Sequence, residues 1–134
     1  DKAVTINLEN DLSIIRNFVK REMSVVIPYP LSQKNYDFMM SGLKDLETNI
    51  HIFTLAPKIE KVLENRGTRE LTEQEKERIK HHYDIGIPNP TFGEIIDNSE
   101  QTPQETAKYI LLKINSSSTN KKEAGLKPNP LPKL

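Results

Sequence analysis

The stretch Ile95-Ile96-Asp97-Asn98-Ser99-Glu100-Gln101-Thr102-Pro103-Gln104-Glu105-Thr106-Ala107 carries three structural instructions in order. Two β-branched residues make a short apolar run, which reads as a strand. Asp97-Asn98-Ser99 closes it with side chains that favour a turn. Thr102 followed by Glu105 is a capping box, and Pro103 fills the first helical position, where the missing N–H has no partner to lose. Ala107, Ile110, Leu111 and Ile114 then recur at helical spacing, predicting a helix over 102–115.

Two further apolar runs resemble the first. Val25, Val26 and Ile27 form a compact β-branched run closed by Pro28 and Pro30. Ile50, Ile52, Phe53 and Leu55 form another, closed by Pro57. Between them lie amphipathic stretches. Leu12, Ile15, Phe18 and Val19 share one helical face, with Asp11, Arg16, Asn17 and Lys20 on the other. Tyr36, Met39, Met40 and Leu43 repeat that pattern, and Ile59, Val62 and Leu63 open a helix in which Pro57 suits the first turn. Thr72 and Glu75 form a second capping box, predicting a helix over 72–84. Short strands separated by helices specify an α/β fold with a short parallel sheet flanked by helices.

Length and composition bound the rest. A chain of 134 residues is one ordinary domain, expected over 1–115. Lys and Arg total 19 and so do Asp and Glu, so no long-range field favours nucleic acid or an anionic membrane. The absence of cysteine excludes disulfides, thiol catalysis and thiolate metal sites. No apolar run is long enough to span a bilayer and no signal peptide is visible, so the expected location is cytoplasmic. After Asn115 the chain turns polar, with Ser116-Ser117-Ser118-Thr119-Asn120, then Lys121, Lys122, Lys127 and Lys133 and alternating Pro128, Pro130 and Pro132. Residues 116–134 read as a flexible, basic, Pro-containing tail.

Candidate chemistry falls in three places. Arg66 and Arg69 flank Gly67 just before the capped helix, and Arg78 lies two turns along it. The planar arginine fork suits phosphate, although Lys and Glu alternate here as on a solvated helix pair. Asp97, Asn98, Ser99 and Thr102 follow a strand, and ligands in open α/β sheets bind outside the carboxyl ends of strands. Tyr29, Lys34 and Tyr36 follow the 25–27 run and could reach the same crevice. Adjacent His81 and His82 face different directions on a helix and, with His51, give no H-x-x-x-H spacing, so no metal site is expected.

These pieces together resemble the later half of the P-loop small-molecule and nucleotide kinases, with the chloramphenicol phosphotransferase-like and zeta-toxin-like branches nearest. The similarity spans about residues 9–114. Residues 12–27 resemble a helix leading into a family strand, and Ile52-Phe53-Thr54-Leu55-Ala56-Pro57 resembles the next strand. Glu64-Asn65-Arg66-Gly67-Thr68-Arg69 is similar to the start of the lid, expected over 64–82. Tyr83-Asp84, Ile95–Ser99 and Thr102–Ala107 resemble the family's ending, and 95–110 is the most specific piece.

The resemblance implies a three-layer fold and an ATP-dependent phosphotransfer. Arg66, Arg69 and Arg78 would contact the triphosphate. Asp97, Asn98, Ser99 and Thr102 would border adenine. Tyr29, Lys34 and Tyr36 would border a small-molecule or nucleotide acceptor, with a polynucleotide a remoter choice.

The sequence departs from the family in lacking the Gly-rich loop and its Lys-Ser/Thr pair, and Pro28 stands where relatives carry an acid. ATP and Mg²⁺ are therefore expected only together with a missing P-loop portion, supplied by the same protein or by a complementary chain. The alternative expectation is a non-catalytic α/β adaptor or regulatory subunit that docks a protein partner.

Overall fold

The computed structural model describes residues 2–64 and 69–123. They group into two compact units, residues 2–50 with 115–123, and residues 51–114.

The first unit is built on two helices. Helix α1 runs Lys2–Val19 and α2 runs Gln33–Leu43. Ser32 caps α2, its side chain accepting from the Asn35 amide at 3.3 Å. The two helices bury Leu8, Met39 and Leu43. Gly42 lets them approach closely, because a Cβ there would stand 2.6 Å from Leu12 Cδ1. Arg16 of α1 donates to both carboxylate oxygens of Asp45, at 2.6 and 3.1 Å, and to the Gly42 carbonyl. That bond with Asp45 raises the guanidinium pKa and lowers that of the carboxyl.

Helix α1 ends in a Schellman arrangement. The Met23 amide donates to the Phe18 carbonyl and the Glu22 amide to the Val19 carbonyl, with Glu22 at φ 58°. The expected strand at Val25-Val26-Ile27 does not form. The backbone from Met23 to Leu31 belongs to no helix or strand, and Val26 is 78% exposed. Val25, Ile27 and Tyr29 are half-buried while Val26, Pro28 and Pro30 are exposed, which is strand alternation without a ladder. A β-branched run supplies the periodicity but not the neighbour that a strand must pair with, and the prolines remove two donors.

The second unit holds the sheet. Strand β1 is Phe53–Leu55 and β2 is Glu94–Ile96, paired parallel with Phe53 opposite Glu94 and Leu55 opposite Ile96. Among the described residues the sheet has these two strands, one fewer than the three apolar runs suggest. Helices α3, Ile59–Leu63, and α4, Glu73–Asp84, make the crossover between them. Lys58 is the N-cap of α3, so Pro57 sits just outside the helix rather than in its first turn.

The capping box of α4 forms as expected from Thr72 and Glu75. So does that of α5, Pro103–Glu123, where the Glu105 amide donates to the Thr102 hydroxyl at 3.2 Å and the Glu105 carboxylate accepts from the Thr102 amide at 2.7 Å. Helix α5 continues past Asn115, so residues 116–123 of the expected tail are helical, and 124–134 lie outside the described residues.

Phe92 and Ile96 supply the apolar core of the second unit, with Ser99 and Thr106 buried beside them. The core is thin. Leu55, Ile85, Ile95 and Leu112 remain 42–59% exposed, and no large side chain of the described residues is fully buried. Among the described residues no helix is long and apolar enough to cross a membrane.

Candidate functional site

Parallel pairing brings the carboxyl ends of β1 and β2 side by side. The ladder carries one step beyond β1, where the Ala56 amide donates to the Ile96 carbonyl at 2.8 Å. The loops that follow are then tied together by side chains. The Lys58 amide donates to Ser99 Oγ at 2.8 Å, and Ser99 Oγ donates to the Asp97 carboxylate. The Ser99 amide donates to the same carboxylate oxygen at 3.0 Å, closing an Asx-type turn. These bonds, the Ser99 hydroxyl first and its amide second, hold the Asp97 carboxyl below its ordinary pKa, with Lys58 adding a smaller electrostatic pull.

Three neighbours complete this edge. Tyr83, on the last turn of α4, donates its hydroxyl to the Pro57 carbonyl. Burial raises the Tyr83 phenol pKa, and the charges of Asp97 and Glu60 push it the same way. Asn98 Oδ1 is buried and, among the described residues, receives no hydrogen bond. Thr102 spends its hydroxyl on the α5 cap, donating to Glu105 at 2.9 Å. Asp97, Asn98, Ser99 and Thr102 therefore lie together on one loop between β2 and α5, the order their sequence indicates.

Arg69 lies in the same unit. With Pro57, Val62, Glu64 and Leu71 it lines an open recess of about 240 Å³ beside the loop that leaves β1. Its guanidinium is engaged, donating to both Glu75 oxygens at 2.9 Å. Glu75 also takes the Thr72 amide at 2.9 Å, and its carboxyl is held down at about 2, by the Arg69 bond first. Arg78 is exposed on α4. Arg66 lies outside the described residues.

Tyr29, Lys34 and Tyr36 belong to the first unit. Tyr29 is half-buried in the extended segment, and Lys34 and Tyr36 occupy the start of α2. Lys34 and Asn35 edge a recess of about 230 Å³ whose walls include Val4, Leu8 and Phe38. His81 and His82 are tilted 45° to one another with ring centres 6.4 Å apart. Among the described residues no three His, Asp or Glu side chains gather as a metal would need.

The roles of Lys58, Tyr83 and Gly93 were not apparent from sequence. Gly93 precedes β2 at φ 72°, and a Cβ there would stand 2.7 Å from the Ile52 carbonyl oxygen. The glycine just before an apolar run was the available signal, since glycine beside a strand marks a close backbone approach. Tyr83 and Lys58 offered none, because their partners are distant in sequence.

Comparison of the chain with protein-family models, with curated proteins and with solved structures gives no match.

Proposed function

We propose that this chain is the lid and adenine-side part of an ATP-dependent phosphotransferase, a small-molecule or nucleotide kinase of the P-loop type. The observation that carries the reading is the carboxyl edge of the parallel pair. A short Asp97-Asn98-Ser99 loop leads there into a capped helix, and Arg69 lines a recess beside the neighbouring strand end. Ligands of open α/β sheets bind at such edges.

The residues present suit part of such a site. A triphosphate with Mg²⁺ requires a Gly-rich cradle and a Lys-Ser/Thr pair, and this sequence contains neither. In this reading they come from a missing amino-terminal portion of the same protein or from a complementary chain. The exposed Leu55 and Ile95 of the two strands support a sheet whose faces are covered by further structure. When both parts are present, phosphotransfer is chiefly a matter of positioning and of charge neutralisation by groups such as Arg69.

Calorimetric titration with Mg²⁺·ATP tests the reading. The 134-residue chain alone is expected to bind weakly or not at all, and the polypeptide carrying the P-loop portion to bind tightly. Tight binding by the chain alone shows the site to be misassigned. Absence of binding by the longer polypeptide, or of a P-loop in it, removes the phosphotransferase.

A second reading, a non-catalytic adaptor that docks a protein partner, is favoured by the same exposed apolar residues, with Val26 and Leu112 the most open. It predicts partner binding that ATP leaves unchanged.

A further inference from the structure

We propose that Glu75 is a latch on Arg69: it holds the Arg69 guanidinium on the first turn of α4, and an incoming phosphate takes Arg69 by replacing Glu75. The inference rests on the phosphotransferase reading and assigns Glu75 as a positioning residue.

The geometry is that of an exchangeable pair. Two terminal nitrogens of Arg69 face two oxygens of Glu75, both at 2.9 Å. A phosphate presents the same two-oxygen edge to the fork. Glu75 has other partners that do not depend on Arg69. Its Oε2 accepts the Thr72 amide at 2.9 Å and the Thr72 hydroxyl at 3.0 Å. When Arg69 leaves, the carboxylate keeps these donors and α4 keeps its cap. The exchange therefore breaks one ion pair and no helix.

The pair is also weak enough to be exchanged. Arg69 is 68% exposed and Glu75 31%, and ion pairs this open contribute little. The place to which Arg69 would turn is adjacent, since the same side chain lines the recess with Pro57, Val62, Glu64 and Leu71. Glu64 is the one acid of that lining, and Lys61 stands 3.6 Å from it, offsetting its repulsion of an anion. While the latch is closed Arg69 is neutralised, so phosphates of low charge gain little from it. A polyphosphate competes with a single carboxylate because it carries more charge to the same fork.

Inorganic tripolyphosphate is the probe, titrated at low salt into the whole 134-residue chain and followed by amide NMR signals. Glu75→Gln is the informative variant. Glutamine at this position still accepts the Thr72 amide and completes the capping box, so α4 is retained while the charged pair is lost. Glu75→Gln is expected to bind about two- to five-fold tighter than the unaltered chain, the range set by the small strength of exposed pairs. The gain is expected to shrink with added salt and to vanish in Arg69→Ala/Glu75→Gln. Retained α4 amide signals and far-UV helicity in Glu75→Gln separate the effect from loss of the helix cap.

Equal or weaker binding by Glu75→Gln overturns the latch. So does a gain that persists without Arg69, or no tripolyphosphate binding at low salt by Glu75→Gln, in which the Arg69 fork is free. Failure of the phosphotransferase reading is scored separately, by the ATP titration of the longer polypeptide.

Discussion

The backbone amide of Lys58, at the start of α3, donates to the hydroxyl of Ser99, past the end of β2, at 2.8 Å. One buried hydroxyl thereby joins the two loops that leave the sheet, and it donates its own hydrogen bond to the Asp97 carboxylate. Replacing it leaves the Lys58 amide without its acceptor and Asp97 without its strongest donor. Ser99→Ala is expected to lower stability by roughly 1–3 kcal/mol, the penalty for stranding a part-buried donor. Urea unfolding measures it, and a loss within error of zero would mean that water replaces the hydroxyl.

Two glycines at positive φ separate backbone strain from crowding. Gly86, at φ 79°, has nothing within 4 Å of a Cβ, whereas Gly93, at φ 72°, would place one 2.7 Å from the Ile52 carbonyl. That carbonyl is also bonded by the Glu94 amide at 2.9 Å, so it cannot retreat without loosening the strand pair. Gly86→Ala is expected to cost about 1 kcal/mol, for the left-handed backbone alone. Gly93→Ala is expected to cost roughly 2–4 kcal/mol, strain and overpacking together. Equal losses in urea unfolding would show that the Gly93 approach relaxes freely.

What was legible in the sequence was local. Both capping boxes, Thr72 with Glu75 and Thr102 with Glu105, formed because cap and acceptor lie within one turn. The parallel pairing of the 53–55 and 94–96 runs was legible because helical stretches intervene between them. The end of α1 was not legible, since Glu22 occupies a left-handed position where glycine would have been the signal. The 25–27 run misled because its pattern reports an extended backbone and not a partner. Residues 116–123 misled because a polar stretch with no apolar stripe can still prolong a helix already nucleated. In the candidate site, the Asp97–Ser99 loop followed from turn chemistry. The Tyr83–Pro57 bond, between residues 26 apart, required the tertiary fold. That Arg69 is held by Glu75 was equally hidden, because the fork reaches back across the cap.

The same Glu75 makes α4 sensitive to acid. Its carboxyl is held at about 2 by Arg69 and Thr72, below the 4.5 of a free glutamate. The unfolded chain therefore takes up this proton first, so the stabilisation is complete above about pH 4.5 and is lost as pH falls toward 2. Asp97 and Glu105 are shifted in the same direction, by Ser99 and by Thr102. Thermal unfolding followed by far-UV circular dichroism is expected to show falling stability through this window, with a shallower acid limb in Glu75→Gln. An identical limb in that variant would assign the acid sensitivity to the other carboxylates.

The assignment of Arg69 to transferring phosphate makes the sharpest kinetic claim, in the polypeptide that includes the P-loop portion. Arg69 starts from a closed contact with Glu75; under the proposed phosphotransferase reading, ATP would bind first through a P-loop and Arg69 would engage only as the site closes. An interaction that strengthens in the transition state lowers kcat when removed and leaves ground-state binding nearly intact. Arg69→Ala is therefore expected to reduce kcat roughly 100-fold, the scale of losing one charge-stabilising donor, with a small change in KM for ATP. Arg66→Ala is expected to act in the same sense on the sequence resemblance. Arg69→Lys keeps the charge but not the fork, and is expected to recover only part of the rate. Lys76, half-buried on α4 and paired at 2.7 Å with the exposed Glu73, is the control, and Lys76→Ala is expected to be near neutral in kcat. Steady-state kinetics at saturating ATP with a competent acceptor decides the matter. A rise in KM with kcat preserved would make Arg69 a ground-state anchor. Unchanged kinetics in both arginine variants would remove the lid from the mechanism and leave the exposed apolar faces, and the partner they fit, as the better guide to what this chain does.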